Sequence, residues 1–187
     1  DVIYKIALSV DGLGDMHDKV RGTKGEFKNL MALLNWLTEK QKKDKRIRIF
    51  ISHNVTPTNY KQFVEFIDYF INKGFKQHQI FFRASDELGR FENDKSQGLF
   101  VRENKNKEIA EEIRKVQKKY PHYRNLFVNN IIKHLECPKK ILIPCYAGFS
   151  CCFIDPYWNV YPCFDTRDVF KIGNLKDAVA LSYYSMY

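Results

Sequence analysis

The chain has 187 residues, of which 44% are hydrophobic, and a formal net charge of +9. That length suits one domain, or one with a small appendage, and the apolar content is enough for a packed core. The longest nearly apolar stretch, Leu30–Leu37, falls far short of the ~20 residues a membrane-spanning helix needs, so no membrane partner is expected. The basic excess sits in Glu39–Arg48, Arg114–Tyr120 and Pro138–Lys140, where it reads as solvated helix ends and faces. No aromatic RNP pattern or C2H2 finger spacing accompanies it, so nucleic acid is not the expected partner. Asp1 opens a strand-like run without a basic leader, which points to a cytoplasmic, reducing compartment.

Val2–Val10 is a mostly apolar run, as expected of a strand buried on both faces of a parallel sheet. After a loop, Phe27, Leu30, Met31, Leu34 and Leu37 recur at helical spacing. Arg46–Ser52 returns to a strand. Pro57, Thr58 and Asn59 then punctuate and cap a second helix, which carries Tyr60, Phe63, Val64, Ile67, Phe70 and Ile71 inward and stops at Gly74. Gln79–Arg83 is a third strand, followed by a polar loop over Ala84–Phe100. Ile109, Ile113, Val116 and Tyr120 form the stripe of another helix, ended by Pro121, and 123–136 reads as one more. Strands near residues 2, 46 and 79, each followed by a helix, make three parallel β/α units. The expected fold is therefore α/β: a partial (βα) TIM-like barrel over 1–136, then a small cysteine-bearing β-hairpin extension over 137–187.

Four of the five cysteines lie in residues 145–163. Phe153–Cys163 reads as strand, turn and return strand, which brings Cys163 back beside Cys145 and Cys151. Cys152 alternates with Cys151 and is expected to pack. Clustered thiols in a reducing compartment more often bind metal than form disulfides, and these spacings fit zinc and iron–sulfur alike.

Two stretches together resemble the radical S-adenosylmethionine enzymes. Ser9, Asp11, Gly12, His17, Asp18, Arg21 and Gly22 follow the pattern found at the fourth strand and following loop of that superfamily's barrel. Cys145, Ala147, Gly148, Ile154, Asp155, Pro156, Val160, Tyr161, Pro162, Cys163 and Ile172–Leu175 look like the start of the auxiliary-cluster extension called the SPASM or twitch domain. The hairpin glycine of that pattern is replaced by Trp158, a residue that does not take a positive φ cheaply, so the turn is expected to differ. The superfamily's Cys-x3-Cys-x2-Cys is absent from the chain. The resemblance then implies the C-terminal part of a longer radical enzyme, with barrel units four to six and an N-terminal half missing.

The resemblance also implies roles. Ser9, Asp11 and Arg21, with Asn54 as a weaker member, would contact S-adenosylmethionine; Ser52 and His53 would line the same pocket, and His17 would shape the loop. Cys145, Cys151 and Cys163 would hold an auxiliary [4Fe–4S] cluster, with a fourth ligand from Cys137, Cys152, a further cysteine or substrate. Asp165 lies near the place of an acid–base carboxylate in peptide-maturing relatives. The substrate would be a peptide or small molecule, and the chain by itself would be inactive and self-associate through the Val2–Val10 edge. The alternative reading is a zinc-stabilised, non-catalytic module whose basic surface meets nucleic acid or an acidic partner.

Overall fold

The computed structural model describes residues 3–84, 103–137, 147–163 and 170–177. Those up to Cys137 form one unit and those from Ala147 a second. Among the described residues no helix is long and apolar enough to cross a membrane.

The first unit runs β1 (Tyr4–Ser9), α1 (Asp15–Arg21), α2 (Glu26–Lys43), β2 (Ile47–Val55), a 3-10 turn (Tyr60–Gln62), α3 (Phe63–Asn72), β3 (Ile80–Ala84), α4 (Glu103–Lys119) and α5 (Leu126–Glu136). The three strands pair in parallel in the order β1-β2-β3, with Ser9 beside Ser52, Ser52 beside Phe81 and Asn54 beside Arg83. It is a mixed α/β unit with a three-stranded parallel sheet.

Burial alternates along the strands, contrary to the expectation that β1 is covered on both faces. Leu8, Val10, Ile49, Ile51, Val55, Ile80 and Phe82 are buried, whereas Lys5, Ala7, Ser9, Arg48, Phe81 and Arg83 between them are exposed. Crossover connections in a parallel sheet are right-handed, so successive helices settle on the same face. The helices share one core with the buried strand residues: Leu34 and Leu37 from α2, Phe63, Phe66, Ile67 and Phe70 from α3, Ile109, Ile113 and Val116 from α4, and Val128, Ile132 and Leu135 from α5.

Local chemistry explains the helix ends. Asn125 accepts the Val128 N–H at 3.0 Å and so starts α5, as an N-cap amide should. Short helix α1 is an element that the sequence reads as loop; its seven residues carry no apolar stripe long enough to register as periodic. Gly12 makes α1 feasible: a Cβ there would lie 2.9 Å from the backbone nitrogen of His17.

In the second unit β4 (Phe153–Ile154), β5 (Asn159–Tyr161) and β6 (Gly173–Asn174) form an antiparallel sheet in that order. Asp155 organises the β4–β5 turn. Its Oδ1 accepts the N–H groups of Tyr157 (2.8 Å) and Asn159 (2.9 Å), and its Oδ2 accepts from Asn159 Nδ2 (2.9 Å) and Tyr161 Oη (3.2 Å). Burial opposes ionisation, but the bonds from Asn159, Tyr157 and Tyr161 outweigh it and hold the carboxyl below its ordinary pKa. Asn174 ties β6 to this turn through Tyr157 O (3.1 Å) and Asn159 Oδ1 (2.9 Å). Trp158 adopts φ 69°, so the turn keeps the left-handed conformation that glycine favours, despite the expectation that it would change. The hydrogen bonds of Asp155 and Asn174 enforce it.

Two expected outcomes follow from the packing. Phe66 stacks on His53 at 4.1 Å and meets Phe70 at 4.9 Å, so Phe66→Ala should cost about 3–5 kcal/mol by the usual scale for buried aromatics. A urea midpoint within error of the parent's would contradict that packing. Trp158→Gly should relieve a strain of about 1–2 kcal/mol for a side chain in the left-handed region. It should raise hydrogen-exchange protection of the Asp155 amide, which bonds Asn159 O at 3.0 Å; unchanged or lower protection would show that the turn is unstrained.

Candidate functional site

The polar residues of the first unit converge at the carboxyl end of β1. Asp11, just past the strand, is only 3% exposed. Its Oδ1 accepts the Asn54 N–H at 2.8 Å and its Oδ2 meets Arg21 Nη2 at 2.9 Å. The same Nη2 donates to Ser9 Oγ. The structure thus brings Ser9, Asp11 and Arg21 together, with Arg21 as the link.

Each remaining residue of the Ser9–Gly22 pattern has a physical task. His17 Nδ1 accepts the Asp11 N–H at 3.0 Å, which closes the turn between β1 and α1. Asp18 accepts the N–H groups of Gly25 and, at 2.8 Å, Phe27, and so caps the first turn of α2 from outside the helix. Those bonds, that from Phe27 foremost, hold its carboxyl below its ordinary pKa. Gly22 takes φ 73° and ends α1, the usual left-handed stop.

Asn59 is expected from the sequence to cap the following helix, but its side chain makes no cap bond there and serves the strand ends instead. Buried, it donates through Nδ2 to Asp11 O (2.9 Å) and Asn54 O (2.8 Å) and accepts the Thr56 N–H at 2.7 Å. It joins the ends of β1 and β2. Asn54 is thereby held at its N–H and its C=O, and its Oδ1 accepts from Arg83 Nε at 2.9 Å. An amide ending a turn gives no hint in sequence that it reaches back 48 residues.

His53 does not face this cluster with Ser52 and Asn54. It is turned into the helical side, stacked on Phe63 at 5.4 Å and Phe66 at 4.1 Å, with Nδ1 on Val10 O at 2.7 Å. A carbonyl partner makes Nδ1 the donor, whereas His17 Nδ1 accepts and leaves its proton on Nε2. The Nε2 atoms of both rings are buried without a hydrogen-bond partner. Burial pushes both imidazoles below the ordinary value; His53 falls to about 4 despite the Val10 carbonyl and the Asp11 charge.

In the second unit, Cys151 and Cys152 are both exposed and Cys163 is half-buried. Cys152 therefore does not pack as expected: β4 begins only at Phe153, so strand alternation does not reach it. Ala147 bridges to Cys151, and the Gly148 N–H bonds Cys151 O at 2.8 Å. Gly148, at φ 81°, lies so close to Pro162 that a Cβ would meet its ring at 3.0 Å. That contact brings the Cys151 turn against the residue preceding Cys163. Cys145 and Asp165 lie outside the described residues, and among those described no three His, Cys, Asp or Glu side chains gather as a metal site.

No family model, curated protein or solved structure matches the chain.

The buried imidazoles make stability pH-dependent with a definite sign. Above pH ~6.5 they are neutral in both states and the fold keeps its full stability. Between 6.5 and about 4 the unfolded chain binds a proton that folded His53 refuses, so stability falls with pH by about 1.4 kcal/mol per unit for one such group. Urea unfolding at pH 7, 5.5 and 4.5 should show this decline, and His53→Asn, which retains a donor near the Nδ1 position, should flatten it. A parent profile that is level over this range would show that the imidazoles are solvated in the folded chain.

Proposed function

We propose that the chain works as part of a radical S-adenosylmethionine enzyme with an auxiliary iron–sulfur segment, acting on a peptide or small molecule. The observation that carries this reading is the linkage of Ser9, Arg21 and Asp11 at the carboxyl end of a parallel strand, beside a sheet face that the described helices leave exposed. Strand ends of that kind are where barrel enzymes build their sites. The sheet is read as three units of an open barrel whose other units lie outside this chain.

The donor set suits the proposed ligand in part. Asp11 is buried and both its oxygens are taken, so it is a positioning residue that holds Arg21. The Arg21 side chain is 34% exposed and spends only Nη2 on Ser9 and Asp11. Its other nitrogens remain to receive a carboxylate, and guanidinium geometry favours that pairing. Asn54 presents its side chain beside them at the end of β2. S-adenosylmethionine, bound at a reduced cluster, supplies the radical chemistry itself; this chain orients the ligand and keeps the barrel end ordered.

The Cys151 and Cys163 thiols fit an auxiliary [4Fe–4S] cluster because the Gly148–Pro162 approach draws their two segments together. Cysteine thiolates are the usual ligands of such a cluster. Cys145 completes the proposed set, and the chain carries no Cys-x3-Cys-x2-Cys for a second cluster.

Anaerobic reconstitution followed by metal analysis tests the reading. Several irons per chain and broad visible absorption are expected, with the iron content cut by more than half in Cys145→Ala, Cys151→Ala and Cys163→Ala and less in Cys152→Ala. A colourless protein holding one zinc would replace this reading with the zinc-stabilised module. Equal iron in all four variants would make the thiols packing residues only.

A further inference from the structure

The helices of the first unit cover one face of the sheet, and the other face has a distinctive charge. Among its strand residues are three cations, Lys5, Arg48 and Arg83, and no acid. No acidic side chain among the described residues pairs with any of the three. The buried carboxylate of this unit among the described residues, Asp11, is already matched by Arg21. Lys5 and Arg48 are register partners toward the amino ends of their strands. Arg83 alone stands at the carboxyl end, beside Asn54.

Arg83 is also aimed. Its Nε is spent on Asn54 Oδ1 at 2.9 Å, and Asn54 is itself fixed by its bonds to Asp11 and Asn59. A guanidinium anchored through Nε keeps its two terminal nitrogens parallel and unengaged, an end-on fork matched to two oxygens of one anion. Two residues back on the same strand face, about 7 Å away by strand rise, Phe81 is 47% exposed, next to Ser52. A large apolar ring exposed beside an anchored cation fits a ligand with an oxyanion at one end and an apolar group at the other.

From this we infer that Arg83 is the specificity-determining residue for the substrate, receiving its carboxylate or phosphate while Phe81 packs against its apolar part. The term substrate rests on the function proposed above; the anion site itself rests only on the sheet face. Its chemistry selects acidic small molecules, or peptides that present a carboxylate beside an apolar side chain, over neutral or cationic ones.

The test uses the full chain without metal, so its result is separate from iron reconstitution. Nitrogen-15 NMR follows the Arg83 Nε–H and the Phe81 amide during titration with 4-phenylbutyrate, with 3-phenylpropyl phosphate and with neutral 4-phenylbutyramide. Saturable shifts at both positions are expected for at least one anion and not for the amide; the stronger of the two anions identifies carboxylate or phosphate as the source. Arg83→Gln should weaken that binding at least tenfold, and Lys42→Gln, on the opposite helical layer, should leave it unchanged. Arg83 is exposed, so the amide fingerprint of Arg83→Gln verifies that the fold is retained. Equal binding by Arg83→Gln, equal shifts with the neutral amide, or unsaturable shifts spread over the surface lysines would each overturn the assignment. Anion binding in a chain that fails to take up iron would preserve the anion site and remove the radical reading alone.

Discussion

A carboxylate buried at the end of the first strand constrains most of the first unit. An ionised group out of water costs several kcal/mol unless it is paired and its lone pairs are met. Asp11 meets that demand with partners from two different elements, Arg21 at the end of α1 and the backbone of Asn54 in β2. Satisfying one charge therefore fixes α1 across the ends of both strands. Gly12 provides the clearance and His17 closes the intervening turn. Asn59 extends the arrangement by holding the carbonyls of Asp11 and Asn54; the Asp11 carbonyl is buried, where a missing donor is an expensive loss.

The sheet divides this polar end from the core. Its helical side is a continuous apolar cluster that includes the Phe63, Phe66, Phe70 and Phe82 rings. His53 sits within that side as a neutral ring stacked on phenylalanines, and its neutrality is a condition for being there. The other side carries exposed cations and small polar groups at the strand ends. The described helices pack on one face of this sheet, which leaves cations, small polar groups and the Phe81 ring exposed on the other.

The second unit follows the same logic at smaller scale. Its short strands bury little, and Val160 and Tyr161 are its buried apolar residues among those described. Order comes instead from Asp155, whose two oxygens collect four donors across the turn. That network tolerates a tryptophan in a left-handed conformation, and it leaves Cys151 and Cys152 exposed on the turn preceding β4.

The order of the elements was legible because short apolar runs bounded by turn residues mark β1, β2 and β3 and helical stripes mark α2 to α5; the one-sided burial of the strands was not, since Val2–Val10 reads as a run covered on both faces. The partners of Phe66 and Asn59 and the short helix α1 were not legible. Phe66, three residues after Phe63 and four before Phe70, lies on the α3 stripe, but its stacking on His53 is a contact that only the fold makes; α1 is too short to show a period. Of the candidate site, Ser9, Asp11 and Arg21 were singled out only by the resemblance of Ser9–Gly22 to a known pattern, because by residue type a hydroxyl and a carboxylate at a strand end read equally as turn chemistry and an arginine reads as a surface ion pair. Their division of labour was not legible even so. A sequence cannot say which carboxylate oxygen is already spent, and only the fold, by setting Asn54 and Arg21 on either side of Asp11, makes it a buried support and leaves Arg21 and Arg83 with nitrogens to offer.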